Sequence, residues 1–364
     1  MAAARDGRAG VRRPGPTLEQ VARRAGVGRG TVSRVVNGSP RVSDRTRAAV
    51  EAAVAELGYV PNRVARALAA GSTDAIALVV PEPETRFFAE PYFSGILHGV
   101  GDALAETDMQ LLLTLVRNER ERERFAQYAS AHRVDGVLLV SLHADDPLPD
   151  LLEECGMPAV LGGRRSAEET VPYVDSDNVG GACAAVEHLL ARGRATVATI
   201  TGSVDMYVAQ CRLEGYRAAL RGAGRATDER LVAHGDFTEE GGHAAMRELL
   251  GRAPEVDAVF CASDVMAAGA RIALREAGRR VPDDVALIGF DDSAVARHMD
   301  PPLTSVRQPI VETGREMAGM LLELLGKTDP PADGTDGTDG TGGAEEADPL
   351  HRVLPTELVC RRSV

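Results

Sequence analysis

From residue 74 onward, short apolar runs alternate with stretches of helical periodicity. Residues 75–80 (AIALVV), 110–115, 136–140, 158–161, 196–201, 258–261 and 285–290 are brief and predominantly apolar. Runs of this kind predict strands buried on both faces, as in parallel sheets. Between them, residues 92–106, 180–192, 212–221 and 264–277 show the spacing of amphipathic helices. The alternation predicts βαβ units in open parallel sheets with helices on both faces. A chain of 364 residues accommodates two such units and a smaller domain. Near the end, LPTELVC is also strand-like.

Residues 18–37 (LEQVARRAGVGRGTVSRVVN) follow a different rhythm. Leu18, Val21, Ala22 and Ala25 define one helix face. Gly26 follows, where a tight turn needs a residue tolerant of positive φ. A second helix then turns Val32, Val35 and Val36 inward, leaving Arg29, Gly30, Thr31, Ser33, Arg34 and Asn37 outward. Arginine, hydroxyl and amide side chains of this kind bond phosphates and base edges. A third helix is signalled by Ser43 as cap, by Val50, Val54 and Leu57 on one face, and by Gly58 as terminator. Pro61 breaks the pattern, and residues 62–71 (NRVARALAAG) form a short Ala-rich helix candidate. It is too short to be stable alone, so it is expected to fold on docking to DNA.

Charge sharpens this division. Thirteen arginines against five acids give residues 1–72 a formal charge of +8, leaving −21 for the rest of a chain whose net is −13. A basic head on an acidic body is the electrostatic footprint of DNA binding at one end only. The arginine-rich N-terminus lacks the apolar core of a signal peptide and no run reaches the length of a membrane span, so a cytoplasmic protein without membrane contact is expected. Cys155, Cys183, Cys211, Cys261 and Cys360 form no CxxC pair and read as reduced core residues, with neither metal site nor cofactor expected. Enzyme signatures (GxSxG, HExxH, GxGxxG after a strand) are absent, which argues against catalysis. Residues 327–349 hold a Gly/Asp/Thr insert, DGTDGTDGTGG, expected to be disordered. A calcium-binding role for its aspartates is disfavoured, because the three-residue unit lacks an apolar position.

Polar groups collect where the apolar runs end: Ser141, Ser263-Asp264 and Asp291-Asp292. Arg212 opens the helical run RLEGYRAAL shortly after a strand. Ligands of open parallel sheets bind outside the carboxyl ends of the strands. A carboxylate and an arginine facing such a crevice grip hydroxyls by charge-assisted bonds.

TLEQVARRAGV, TVSRVVN, VSDRTRAAVEAAVAELGYVPN and RVARALA occur in one order and spacing, and with them the chain resembles the LacI/GalR family of bacterial transcriptional repressors. The resemblance continues to the C-terminus. It implies an α plus α/β protein: a helix-turn-helix head, a hinge helix and a two-lobed core like periplasmic binding proteins, with parallel sheets. The expected limits are a disordered basic tail at 1–15, the head at 16–61, the hinge at 62–72 and the core at 73–364. Within the core, one lobe is expected at about 74–189 and 307–326, the other at about 190–306 and 350–364.

By family motif, Arg29, Gly30 and Arg34 match base-reading positions, although Gly30 departs from the usual side-chain-bearing residue. Thr31, Ser33, Asn37, Ser43, Thr46, Tyr59 and Asn62 match phosphate contacts, and Leu68 matches the leucine that wedges into the minor groove. Arg212 (R-x-x-G-Y), Asp291 (G-F-D-D), Phe237 and Gln308 match effector positions, with Ser141, Ser263 and Asp264 beside them; Ser263 stands where many members carry Asn. The first-strand loop admits two alignments, with Tyr92 and Phe93 or Phe87 and Phe88 in the aromatic role; the spacing of the following ILHG favours the first. The implied partners are pseudo-palindromic operator DNA, a small-molecule effector and a second copy of the chain. A sugar is the expected effector and a nucleobase the alternative. The amphipathic runs 99–107 and 313–325 are the expected dimer faces.

Overall fold

The computed structural model describes residues 16–36, 41–59, 72–327 and 348–364. Asn37, Asn62 and Leu68, with the tail, the hinge through Gly71 and residues 328–347 of the insert, lie outside them. The chain divides into two compact units, residues 1–73 and 74–364.

The head contains α1 (Leu18–Ala25), α2 (Arg29–Val36) and α3 (Asp44–Leu57). Thr17 and Gln20 cap α1 reciprocally, and Gly26 ends it at φ 69°. Ser43 caps α3 and Gly58 ends it at φ 60°. Val21, Val32 and Val50 are fully buried together with Ala22, Val35, Ala53 and Tyr59, so one small core fixes all three helices.

The second unit runs β1 (Ala75–Val80), α4 (Glu84–Ala89), α5 (Pro91–Leu104), β2 (Gln110–Leu115), α6 (Glu119–Ser130), β3 (Gly136–Val140), α7 (Leu148–Glu154), β4 (Ala159–Gly162), β5 (Tyr173–Ser176) and α8 (Asn178–Ala191). It continues through β6 (Val197–Thr201), α9 (Tyr207–Gly222), β7 (Val232–His234), α10 (Glu239–Arg252), β8 (Ala258–Cys261), α11 (Asp264–Glu276), β9 (Ala286–Asp291) and α12 (Ala294–His298). It closes with β10 (Thr304–Arg307), α13 (Ile310–Leu324), β11 (His351–Leu354) and β12 (Glu357–Val359).

Two six-stranded sheets result, ordered β11-β5-β4-β3-β1-β2 and β12-β10-β9-β8-β6-β7. Among the described residues, all pairings are parallel except β10 with β12. Each sheet is covered on both faces. In the first lobe α5 and α13 pack on one side and α6 and α7 on the other. In the second, α10 and α11 cover one side, α8 and α9 the other. The α5–α13 crossing depends on glycine: a Cβ on Gly99 would lie 1.9 Å from the Val311 carbonyl oxygen, and one on Gly314 would lie 2.4 Å from that of Ile96.

The lobe limits differ from those expected. The chain first crosses between β5 and α8, because Ala182, Ala185 and Leu189 of α8 pack against Val197 and Phe260 of the second sheet. Thus α8 belongs to the second lobe. Residues 351–354 return to the first sheet as β11 beside β5, and only β12 joins the second. Among the described residues, three segments therefore cross between lobes, after β5, β10 and β11. The runs 99–107 and 313–325 largely bury their apolar residues against each other and the first sheet. That packing arises because Gly99 and Gly314 let the helix backbones approach.

Candidate functional site

A cavity opens between the lobes at the carboxyl ends of their strands. Its lining includes Arg86, Glu90, Tyr92, Phe93, Ser141, Arg164, Asp175, Asn178, Arg212, Phe237, Asp291 and Gln308. Of the nine expected effector residues, Tyr92, Phe93, Ser141, Arg212, Phe237, Asp291 and Gln308 are brought together here. Ser263 and Asp264 are not. Ser263 caps α11, accepting from the Met266 amide at 3.2 Å. Asp264 is fully buried, and its carboxylate accepts from the Ser305 hydroxyl at 2.6 Å and the Ser293 amide at 2.7 Å. Burial raises it to about 6. Its bonds hold the turn after β9 that presents Asp291. Arg212 lies in the second turn of α9, which begins at Tyr207, five residues before the expected start.

Strain marks the site. Ser141, Phe237 and Asp291 have φ of 60°, 67° and 110°, which non-glycine residues seldom adopt. Such backbones concentrate at binding sites, where surrounding bonds over-determine them. Each follows a strand: Ser141 comes after β3, Phe237 after β7, and Asp291 ends β9.

Arg212 is 4% exposed and locked on several sides. Its Nε donates to Asn178 Oδ1 at 2.9 Å, one terminal nitrogen donates to the Ala262 carbonyl at 2.5 Å, and the guanidinium covers the Phe290 ring at 3.7 Å. The same nitrogen lies 3.7 Å from Asp291 Oδ1. Burial lowers the Arg212 pKa, although a guanidinium stays charged. Burial raises Asp291 to about 7, against the opposing pull of Arg212. Gln308 donates from Nε2 to Asp291 at 2.6 Å and accepts from the Ser176 hydroxyl at 3.2 Å, so two crossover segments meet at the pocket.

The aromatic alternatives resolve clearly. Tyr92 and Phe93 line the cavity; Phe87 stacks behind Phe93 at 5.3 Å, while Phe88 is 79% exposed. Burial pushes the Tyr92 phenol up. Phe237 has the Arg86 guanidinium over its ring at 5.6 Å, and a Cβ on Gly202 would meet the ring at 2.0 Å.

Sequence reasoning missed Arg86, Glu90, Arg164, Asp175 and Asn178. Arg164 reaches across the lobes, 5.2 Å over Tyr173 and 5.1 Å over Tyr207, and donates to Asp175 at 2.8 Å. The polar cluster Asp175–Asn178 after an apolar stretch was the available signal. It went unread because β5 (YVDS) is half polar over only four residues and makes no apolar run. Outside the cavity, His143 bonds Asp205 at 2.5 Å, and the Ala144 amide donates to the Asp205 carbonyl at 3.0 Å, joining the lobes again. Bonding to Glu82 and Asp205 raises His143 to about 9.

In the head, Arg29, Gly30 and Arg34 are exposed on α2, with Thr31 and Ser33 half-buried between them. Arg29 lies 3.2 Å from Glu19. A Cβ on Gly30 would meet nothing within 4 Å. Ser43 and Thr46 bond each other at 2.9 Å at the start of α3. Tyr59, expected at a phosphate-contacting position, is 9% exposed and packs into the head core.

Among the described residues, no helix is long and apolar enough to cross a membrane, and no cluster of His, Cys, Asp and Glu is arranged to hold a metal.

Comparison with known proteins places both units. Residues 17–62 match the model described as bacterial regulatory proteins, lacI family, and residues 186–364 match a periplasmic binding protein-like domain. The HTH-type transcriptional regulator CelR of Thermobifida fusca is 52% identical over 354 residues, 97% of this chain and 99% of that protein. A solved transcriptional regulator CelR–cellobiose complex superposes with a TM-score of 0.72 at 50% identity, covering 96% of this chain and 100% of that one. A lac repressor dimer bound to operator and the anti-inducer ONPF gives 0.80 at 27% identity, covering 96% and 99%. With head, core and near-complete coverage in agreement, the chain belongs to the lacI family of bacterial regulatory proteins.

Proposed function

We propose that this regulator is a cytoplasmic repressor that binds pseudo-palindromic operator DNA as a homodimer, and that a neutral sugar in the inter-lobe cavity changes its operator affinity. One observation carries the effector class. Three guanidiniums and three carboxylates line the cavity. They sit beside one another as Arg164–Asp175 at 2.8 Å, Arg86–Glu90 at 3.4 Å and Arg212–Asp291 at 3.7 Å. A phosphorylated or otherwise anionic ligand needs unmatched cations. A polyol instead offers donors to the carboxylates and acceptors to the guanidiniums without adding charge. The relative solved with cellobiose supports a disaccharide of that kind. A nucleobase sandwiched by Phe93 and Phe237 is disfavoured, since Phe93 is 2% and Phe237 6% exposed and the Arg86 guanidinium lies over the Phe237 ring.

On the DNA side, Arg29 and Arg34 read bases while Thr31, Ser33, Ser43 and Thr46 position the head on phosphates. The edge strand β2 leaves Leu112 and Leu113 38% and 39% exposed. An apolar sheet edge needs a cover, and a second copy supplies one. No catalytic step is assigned to the protein.

The test is a thermal-shift and operator-anisotropy series with cellobiose, glucose, glucose 6-phosphate and adenine. Cellobiose at about a hundred times its dissociation constant adds roughly 2.7 kcal/mol to the state it binds, and it changes operator affinity. Stabilisation by adenine or glucose 6-phosphate, with none by cellobiose or glucose, overturns the reading.

A further inference from the structure

The three carboxylates of the cavity differ in how fully they are bonded. Asp175 accepts from the Ser176 amide at 2.8 Å, Asn178 Nδ2 at 3.0 Å and Arg164 Nε at 2.8 Å. Asp291 accepts from Gln308 at 2.6 Å, with Arg212 beside it. Glu90 accepts one long bond among the described residues, from Arg86 Nε to Oε2 at 3.4 Å. The same guanidinium makes a shorter bond, 2.8 Å, to Glu82. Yet the Glu90 side chain is only 13% exposed and lines the cavity. A buried carboxylate with most of its acceptor capacity unused is costly. Burial accordingly raises its pKa to about 7, with Arg86 opposing and the nearby Asp291 and Glu82 adding to the rise.

Glu90 enters the cavity because the short helix α4 is inserted between β1 and α5, and Glu90 is the residue that joins α4 to α5. It comes from the first lobe, whereas Arg212, Phe237 and Asp291 come from the second. Arg86, one turn earlier, bonds Glu82 and lies over Phe237 of the opposite lobe, so it is placed to orient Glu90.

We propose that Glu90 is a specificity-determining acceptor: its carboxylate takes a hydrogen bond from one hydroxyl of the neutral sugar bound in the cavity. This rests on the sugar reading above. A ligand bonded to Glu90 on one side and Asp291 on the other ties the lobes together, and a sugar without that hydroxyl leaves a buried carboxylate unsatisfied.

The experiment is isothermal titration of the full-length protein and its Glu90→Gln variant with cellobiose and a series of monodeoxy cellobioses. Loss of a charge-assisted bond weakens cellobiose binding roughly ten- to a hundredfold in the variant. One deoxy analogue should lose similar affinity in the wild type and nothing further in Glu90→Gln, the signature of a direct pair. The wild type should also bind more tightly as pH rises from 6 to 8, as the Glu90 carboxyl ionises, and the variant should lose part of that slope. The remainder belongs to Asp291, which titrates in the same range; Arg86, Arg212, Glu82 and Tyr92 also face Glu90. If Glu90→Gln unfolds, Glu90→Asp carries the test and must weaken binding as well. Wild-type binding of cellobiose matched by the variant overturns the Glu90 assignment alone. Failure of the wild type to bind any of these sugars overturns the sugar reading and this assignment together.

Discussion

The face of α2 and the inter-lobe cavity are both recognition surfaces, built in opposite ways. Arg29, Gly30, Thr31, Ser33 and Arg34 lie on one eight-residue helix. The side chains at its reading positions are exposed and weakly tied: the Arg29–Glu19 pair has side chains 73% and 56% exposed. Cavity residues run from Arg86 to Thr313, are largely buried, and are bonded to one another. An exposed reading face waits for its partner to supply the bonds, so its residues act one by one. A buried polar network is bonded largely within itself, with Glu90 the least bonded member, so its members act together. Salt should weaken the first strongly and the second little.

The largest effect should follow Arg212→Ala. Removing one partner of a buried pair costs about 3–5 kcal/mol, and the variant should bind operator while ignoring effector. Thermal unfolding and operator anisotropy with cellobiose measure both. In a double-mutant cycle Arg212→Ala and Asp291→Asn should be strongly non-additive; additivity would break the contrast drawn above. Next comes Arg34→Ala, which should remove roughly 1–3 kcal/mol of base discrimination per half-site while keeping salt-dependent nonspecific binding. Competition between operator and scrambled duplexes reads this, and the effects of Arg29→Ala and Arg34→Ala should add.

A smaller effect belongs to the His143–Asp205 contact. The folded His143 pKa of about 9 exceeds its ordinary 6.5. Its contribution is therefore complete below pH 6.5 and lost as pH rises through 9. The wild-type melting temperature should fall towards that of His143→Gln across this window, and parallel curves would show that the contact carries no stability. The smallest effect is that of Gly30→Ala. With open space for a Cβ, it should stabilise the head by at most about 1 kcal/mol, seen as a higher melting temperature of the DNA-free protein.

How much could be read in advance follows the same contrast. The helices of the head were legible because their apolar positions, the Ser43 cap and the glycines Gly26 and Gly58 are neighbours in the chain; the Thr17–Gln20 cap of α1 was not read. Arg212, Phe237 and Asp291 were found through local motifs and strand ends. Ser263 and Asp264 misled because a strand end marks the crevice without saying which side chain turns into it; these two cap and brace instead. The strands β5 (YVDS), β7 (VAH), β10 (TSVR) and β11 (HRVL) mix polar with apolar residues over three or four positions, so none makes an apolar run.

By itself, the sequence determined the three helices of the head, the alternation of strands and helices in the body, the basic head and acidic body, and the parallel α/β class. Periodicity, capping and charge act over a few residues or over simple counts, so one dimension suffices for them. Tertiary structure alone decided that α8 belongs to the second lobe, that β11 returns to the first, and that Glu90, Arg164 and Asp175 face Arg212 and Asp291. Those outcomes depend on which apolar faces pack together and on which charges must find partners once water is excluded, and in both cases the groups involved lie far apart along the chain.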